Sequence, residues 1–215
     1  MRNFEYVPKE EYGPVKEKLI ELIKNVQDEL RDYFTFQFTF IGSSSRNMIT
    51  REIYGNRGYD FDVDIRVNDD DEQFSAEELK HILMNAINRV FLPYGFSPCE
   101  DSTRVITIKR IDVRNSRILY SCDFAIVNDY EDKNGNKRQQ YVYSDKQHRR
   151  YLWVERSKEY CKLSEKERAI KAAGKWDKVI KVYRNKKCLF SYGKKSRSLY
   201  AETINEVFNT LSRNR

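Results

Sequence analysis

Residues 59–67 hold three aspartates within five positions: Asp60, Asp62 and Asp64 alternate with Phe61, Val63 and Ile65. Strand side chains alternate between faces, so the carboxylates share one side and the apolar residues the other. Like charges that close repel, and Asp is a poor strand former. Two readings are open. Either the strand leaves its charges in water, or a divalent cation relieves the repulsion. Mg²⁺ suits the second, because it binds through a few carboxylates together with water and substrate phosphates. A further carboxylate, Asp123, sits in the largely apolar run Leu119–Val127. A lone Asp there is costly unless it is paired or on a metal. If the two runs lie side by side, Asp62, Asp64 and Asp123 can hold two Mg²⁺ or Mn²⁺ ions about 4 Å apart. One ion lowers the pKa of an attacking hydroxyl, and both neutralise charge on a phosphoryl group in transfer. Asp60 reads as an extra carboxylate outside the ligand set, and Asp69–Asp71 as a solvated acidic loop.

Gly42-Ser43 supplies a different chemistry. Glycine lets backbone approach a phosphate closely, and the following amides and the Ser43 hydroxyl can donate to its oxygens. A lone Gly-Ser says little. Gly-Ser closing an apolar strand, with Asp-Val-Asp about twenty residues later in another strand, says much more. Arg46 is open between a phosphate contact and a surface arginine at a helix start.

The elements that must position these groups follow from periodicity. Val15, Leu19, Leu22, Ile23, Val26 and Leu30 fall at helical spacing and predict a helix over 11–33. The run 34–41 alternates strictly and predicts a strand with Phe34, Phe36, Phe38 and Phe40 on one face. A helical turn is predicted over 46–53, broken by Gly55, Asn56 and Gly58. Ser75 with Glu78 forms a capping box that starts a helix to about Phe91. Strands are predicted over 104–111 and 117–127, and a hairpin around Asn134-Gly135-Asn136 that returns through 140–143. Helices are predicted near 164–173, 175–189 and 198–212. The order gives an α+β fold: a mixed sheet with flanking helices over residues 1–150, then a basic helical part over 151–215 packed on it.

Composition narrows the class. The 215 residues carry a net charge of +7, unevenly spread. Residues 1–130 have 17 basic and 23 acidic side chains, a net of -6, and residues 131–215 have 23 and 10, a net of +13. Clustered carboxylates attract cations, and clustered Lys and Arg attract phosphates. The basic half is open between a solvated surface and a polyphosphate-facing one. No run approaches the roughly 18 apolar residues of a membrane span. Met1–Tyr6 reads as no signal peptide, being charged at once. Four cysteines without C-x-x-C spacing argue against a thiolate zinc site and fit a reduced, cytoplasmic setting. His81 and His148 are too few for a multi-histidine metal site, and His81 reads as structural. Trp153 and Trp176 read as core or seam residues, and Lys194, Lys195 and Arg197 as exposed.

Phe40-Ile41-Gly42-Ser43, then Asp62-Val63-Asp64-Ile65, then Asp123 resembles the polymerase-beta-type nucleotidyltransferase pattern. In layout it is most similar to the branch of oligoadenylate synthetases and cyclic-oligonucleotide synthases, the CD-NTases. The motifs cover residues 36–127. The resemblance implies that Asp62, Asp64 and Asp123 are catalytic metal ligands and that Gly42 and Ser43 cradle a triphosphate. It also implies a basic residue on a later helix touching that triphosphate, for which Lys178, Lys181 and Arg184 are candidates. A later Ser-Tyr ahead of a helix binds phosphate and stacks on the base in such families. Ser198-Leu199-Tyr200 matches in part, with Leu199 where the Tyr stands.

The activity so implied is ATP- or other NTP-dependent transfer of a nucleoside monophosphate to a hydroxyl of a nucleotide or RNA, releasing pyrophosphate. The alternative is a non-catalytic nucleotide- or RNA-binding module that kept the fold. The +13 segment suits an RNA or nucleotide acceptor and would make binding strongly salt-dependent.

Overall fold

A computed structural model describes residues 2–69, 73–156 and 160–212. The chain groups into two compact units, each assembled from separated segments: residues 7–49 with 56–156, and residues 1–6 with 50–55 and 157–215. No helix among the described residues is long and apolar enough to cross a membrane.

The first unit is built on a mixed sheet. Its elements in chain order are α1 (Lys9–Leu30), β2 (Thr35–Ile41), α2 (Gly42–Ser45), β4 (Arg57–Asn68), α3 (Ala76–Val90), β5 (Glu100–Asp101), β6 (Ile106–Asp112), β7 (Arg117–Glu131), β8 (Lys137–Asp145) and β9 (Arg150–Glu155). β1 (Phe4–Tyr6) and β3 (Thr50–Glu52) belong to the other unit. The sheet runs β2-β4-β7-β6-β5, and β8 pairs with the far half of β7 and carries β9. β4 and β7 are parallel, while the other pairs are antiparallel.

One face of the sheet is the core. Phe61, Val63 and Ile65 of β4, Cys122, Phe124 and Ile126 of β7, and Ile106 and Ile108 of β6 are buried there. The apolar stripes of α1 (Leu19, Leu22, Ile23, Val26, Leu30) and α3 (Leu79, Leu83, Ala86, Ile87) are buried in the same cluster. α3 starts where the capping box predicts. Ser75 Oγ accepts from the Glu78 amide at 3.2 Å, and Glu78 Oε2 accepts from the Ser75 amide at 2.8 Å. A fully buried cation underlies this face. Lys80 Nζ pairs with Asp101 Oδ1 at 2.6 Å and donates to the Ser102 carbonyl at 2.6 Å.

Several local expectations change. The helical turn over 46–53 is absent: helix α2 starts at Gly42 itself, and Thr50–Glu52 is a strand. Gly42 explains the first point, since its φ of +65° turns the chain from β2 directly into the helix. Gly58 lies inside β4 instead of breaking it. A Cβ there would stand 1.7 Å from the Leu119 carbonyl oxygen, so only glycine lets β4 and β7 approach. β5 and β9 extend the sheet beyond the strands predicted. Of the acidic loop, Asp69 accepts from the Gln73 and Phe74 amides, and Asp70 and Asp71 lie outside the described residues. Trp153 packs against the core, and His81 meets the Tyr151 ring edge-on at 5.3 Å.

The second unit joins β1 and β3 to α4 (Tyr160–Ala172), α5 (Trp176–Phe190) and α6 (Ser196–Ser212). β1 and β3 pair antiparallel, with Tyr6 opposite Thr50. They are tied to α5: Tyr6 Oη donates to the Ile180 carbonyl at 2.7 Å, and Lys187 Nζ donates to Thr50 Oγ1 at 2.8 Å. The helices bury Ile170, Val179, Tyr183, Leu199, Ile204 and Val207.

Candidate functional site

Alternation fixes which side chains share the face opposite the helices. With Phe61, Val63 and Ile65 buried beneath, Asp60, Asp62 and Asp64 project the other way. The register of β4 on β7 then sets Asp62 opposite Asp123, and Asp64 opposite Ala125. β6 continues the row, with Thr107 opposite Asp123. Thus Ile41, Asp62, Asp123 and Thr107 stand in line across four strands.

The pair at the centre is electrostatically costly. Burial, together with repulsion from Asp60, Asp123 and Asp64, pushes the Asp62 carboxyl up to about 7, against a smaller opposing pull from Arg46. Burial also raises Asp123, with Asp60 adding to the rise. Thr107 works against it: its hydroxyl donates to Asp123 Oδ1 at 2.6 Å. Ser102 Oγ lies 3.3 Å from the Thr107 hydroxyl. Two adjacent carboxylates that resist ionisation are a donor set that a divalent cation suits.

Gly42 is pressed against this pair. A Cβ at that position would lie 2.4 Å from Asp62 Oδ2. The glycine that the sequence marks for phosphate approach is therefore also what leaves room for the Asp62 carboxylate. Ser43 follows it in α2, and Arg46 Nη1 donates to the Gly42 carbonyl at 2.6 Å, which braces the turn.

Asp64 is held differently. It is buried, and the Arg156 guanidinium takes both its oxygens, Nη1 to Oδ2 at 2.7 Å and Nη2 to Oδ1 at 2.9 Å. Gln139 orients the arginine. Its Oε1 accepts from Arg156 Nη1 at 2.5 Å, and its carbonyl accepts the Arg156 amide at 2.8 Å. Gln139 is itself tied to Asp129 at 2.6 Å. Among the described residues, no three His, Cys, Asp or Glu side chains converge as a metal-holding group. Asp62 and Asp123 have the chemistry that suits a divalent cation, whereas both oxygens of Asp64 are taken by Arg156.

The remaining candidates lie in the helical unit. Lys178, Lys181 and Arg184 are exposed along α5, on the side away from its buried residues Val179, Tyr183 and Lys187. Lys178 Nζ donates to Thr210 Oγ1 at 3.2 Å. Ser198 is exposed in the first turn of α6, not ahead of it, and Tyr200 is buried edge-on against Tyr183 at 5.8 Å. That tyrosine is committed to the helix seam. Sequence reasoning missed Thr107 and Arg156, because only strand register and tertiary contact bring them to the carboxylates.

Comparison with protein-family models and with curated proteins gives no match. Solved structures do match. The STING-associated CdnE c-di-GMP synthase of Capnocytophaga granulosa superposes with a TM-score of 0.59 and 18% identity, over 94% of this chain and 61% of that one. Vibrio cholerae DncV in its GTP-bound form gives 0.56 and 19%, over 94% and 52%. The Elizabethkingia meningoseptica CdnE cyclic dinucleotide synthase with GTP and Apcpp gives 0.51 and 14%, over 86% and 68%. These neighbours are CD-NTases. The chain has the nucleotidyltransferase fold. It spans about half to two thirds of the length of these CD-NTases.

Proposed function

We propose that the chain is a metal-dependent nucleotidyltransferase. It moves a nucleoside monophosphate from an NTP to a hydroxyl on a nucleotide or an RNA, and pyrophosphate leaves. The observation that carries this reading is the pairing of Asp62 with Asp123 on neighbouring parallel strands, with Gly42 against the Asp62 carboxylate. The likeness to GTP-bound and Apcpp-bound synthases supports an NTP as donor.

The division of labour follows from the residues. Asp62 and Asp123, joined by Asp64 on release from Arg156, would hold Mg²⁺ or Mn²⁺. Such ions lower the pKa of the attacking hydroxyl and neutralise charge on the phosphoryl group. Gly42 and Ser43 bring backbone and hydroxyl donors to the triphosphate. Thr107 keeps Asp123 turned and favours its ionised form. The exposed Lys178, Lys181 and Arg184 offer a basic helix face to an acceptor's phosphates.

A second reading rests on one contact. Arg156 occupies both oxygens of Asp64, which suits a nucleotide- or RNA-binding module that no longer transfers. Incubation with labelled NTPs and Mg²⁺ or Mn²⁺, with and without RNA, separates the two. Pyrophosphate release that Asp123→Asn abolishes supports the enzyme. Nucleotide binding without pyrophosphate under every condition supports the module. Salt-sensitive RNA binding lost in Lys181→Glu/Arg184→Glu would assign the α5 face to the acceptor.

A further inference from the structure

The clamp on Asp64 is built. The Arg156 side chain is 24% exposed and that of Asp64 10%. The contacts that aim the guanidinium include two to the carboxylate and one to Gln139 Oε1. A planar fork fits a carboxylate and a phosphate equally well, and keeps its charge at any working pH. Asp64 projects from the same strand face as Asp62, two residues along. A cation that engages Asp64 must therefore displace the arginine, and a triphosphate bound to that cation brings the oxygens that can receive it.

We propose that Arg156 is an exchangeable residue of the nucleotide site: it blocks Asp64 against a bare cation and moves to the triphosphate when metal and NTP arrive together. This rests on the reading of Asp62, Asp64 and Asp123 as metal ligands. The exchange makes metal loading depend on nucleotide. A cation alone must break a bidentate pair, whereas a cation arriving with NTP brings phosphate oxygens that can take the guanidinium.

The proposal makes two changes of opposite sign in one variant, which a merely structural arginine would not. In the full chain, Arg156→Gln should raise the affinity for Mn²⁺ alone by about tenfold, the effect of one charge-assisted contact. It should lower the affinity for an α,β-methylene ATP or GTP analogue with Mn²⁺ by a similar factor. Calorimetric titration reads both, and a melting curve confirms folding. Arg156→Lys keeps the charge without the fork, so it should also raise Mn²⁺ affinity, and it serves if the Gln variant does not fold. Lys109→Gln, which removes a cation acting on Asp123 from a distance, should leave the Mn²⁺ affinity within about twofold of the wild type. Mn²⁺ affinity that is unchanged or lower in both Arg156 variants overturns the proposal. So does a rise in Lys109→Gln as large as in Arg156→Gln, or undiminished analogue binding. Asp62→Asn separates this from the reading beneath it. If that variant loses Mn²⁺ while Arg156→Gln gains none, the clamp alone fails. If it binds Mn²⁺ as the wild type does, the metal site itself fails and the clamp with it.

Discussion

Asp62 stands opposite Asp123 in the parallel register of β4 on β7, and the Asp123 carboxylate helps Asp62 keep its proton. This pairing has a measurable cost. The folded chain holds the Asp62 proton up to about pH 7, whereas an unfolded Asp releases it near 4. Between those values the folded state binds more protons, so stability falls as pH rises. With EDTA present, the melting temperature should drop by a few degrees between pH 5 and pH 8. Asp62→Asn should flatten that slope. An equal slope in the variant would place the titration elsewhere.

The same variant should uncouple stability from function. At pH 8 without metal, Asp62→Asn removes a repelling charge and should melt higher than the wild type. It should also lose Mn²⁺ binding and pyrophosphate release. Asp123→Asn should behave alike. Wild-type turnover in both variants would remove these residues from the reaction.

Thr107→Val keeps the size and shape of the side chain but takes away the donor to Asp123 Oδ1. Removing such a supporting contact costs about 10- to 100-fold in metal affinity or activity. Thr107→Ser retains the hydroxyl and should recover most of the loss. Calorimetry with Mn²⁺, run on both variants, decides whether the hydroxyl or the strand packing matters.

Gly42→Ala strains a backbone at φ +65° and sets a methyl 2.4 Å from Asp62 Oδ2. The backbone alone costs roughly 1–2 kcal/mol, or about 2–8 °C in melting temperature at this chain length. The carboxylate is the atom group that can yield, so Asp62 should turn away. Metal affinity should then fall by more than the stability loss explains. A variant that melts lower but binds Mn²⁺ normally would show that the glycine serves the turn alone.

Much of this site is readable before any coordinates. Phe61, Val63 and Ile65 alternate with the aspartates, and alternation alone assigns their faces. Ser75 and Glu78 announce the start of α3 because a capping box is local. What stays hidden is what register decides. Nothing near Thr107 says that its partner is Asp123, sixteen residues on, and nothing near Arg156 points to Asp64. Gly58 looks like a breaker because glycine usually ends a strand. Its reason, the Leu119 carbonyl 1.7 Å from a Cβ, exists only once β7 is alongside. Thr50–Glu52 is too short to show alternation, and its pairing partner lies over forty residues earlier.

The two strands of the helical unit set an order of assembly. β1 bonds β3 across the whole of α1, β2 and α2, and the Phe4 amide reaches Cys188 Sγ from 184 residues away. During synthesis every segment of the sheet unit is available once β9 has emerged, because that unit is assembled from residues 7–49 and 56–156. β1 and β3 have no such freedom. They wait, already made, until α5 leaves the ribosome and offers Ile180 and Lys187. Closing so long a loop is slow compared with local helix formation. β1 is therefore among the last elements of its unit to be secured, since Ile180 on α5 stands 174 residues after Tyr6.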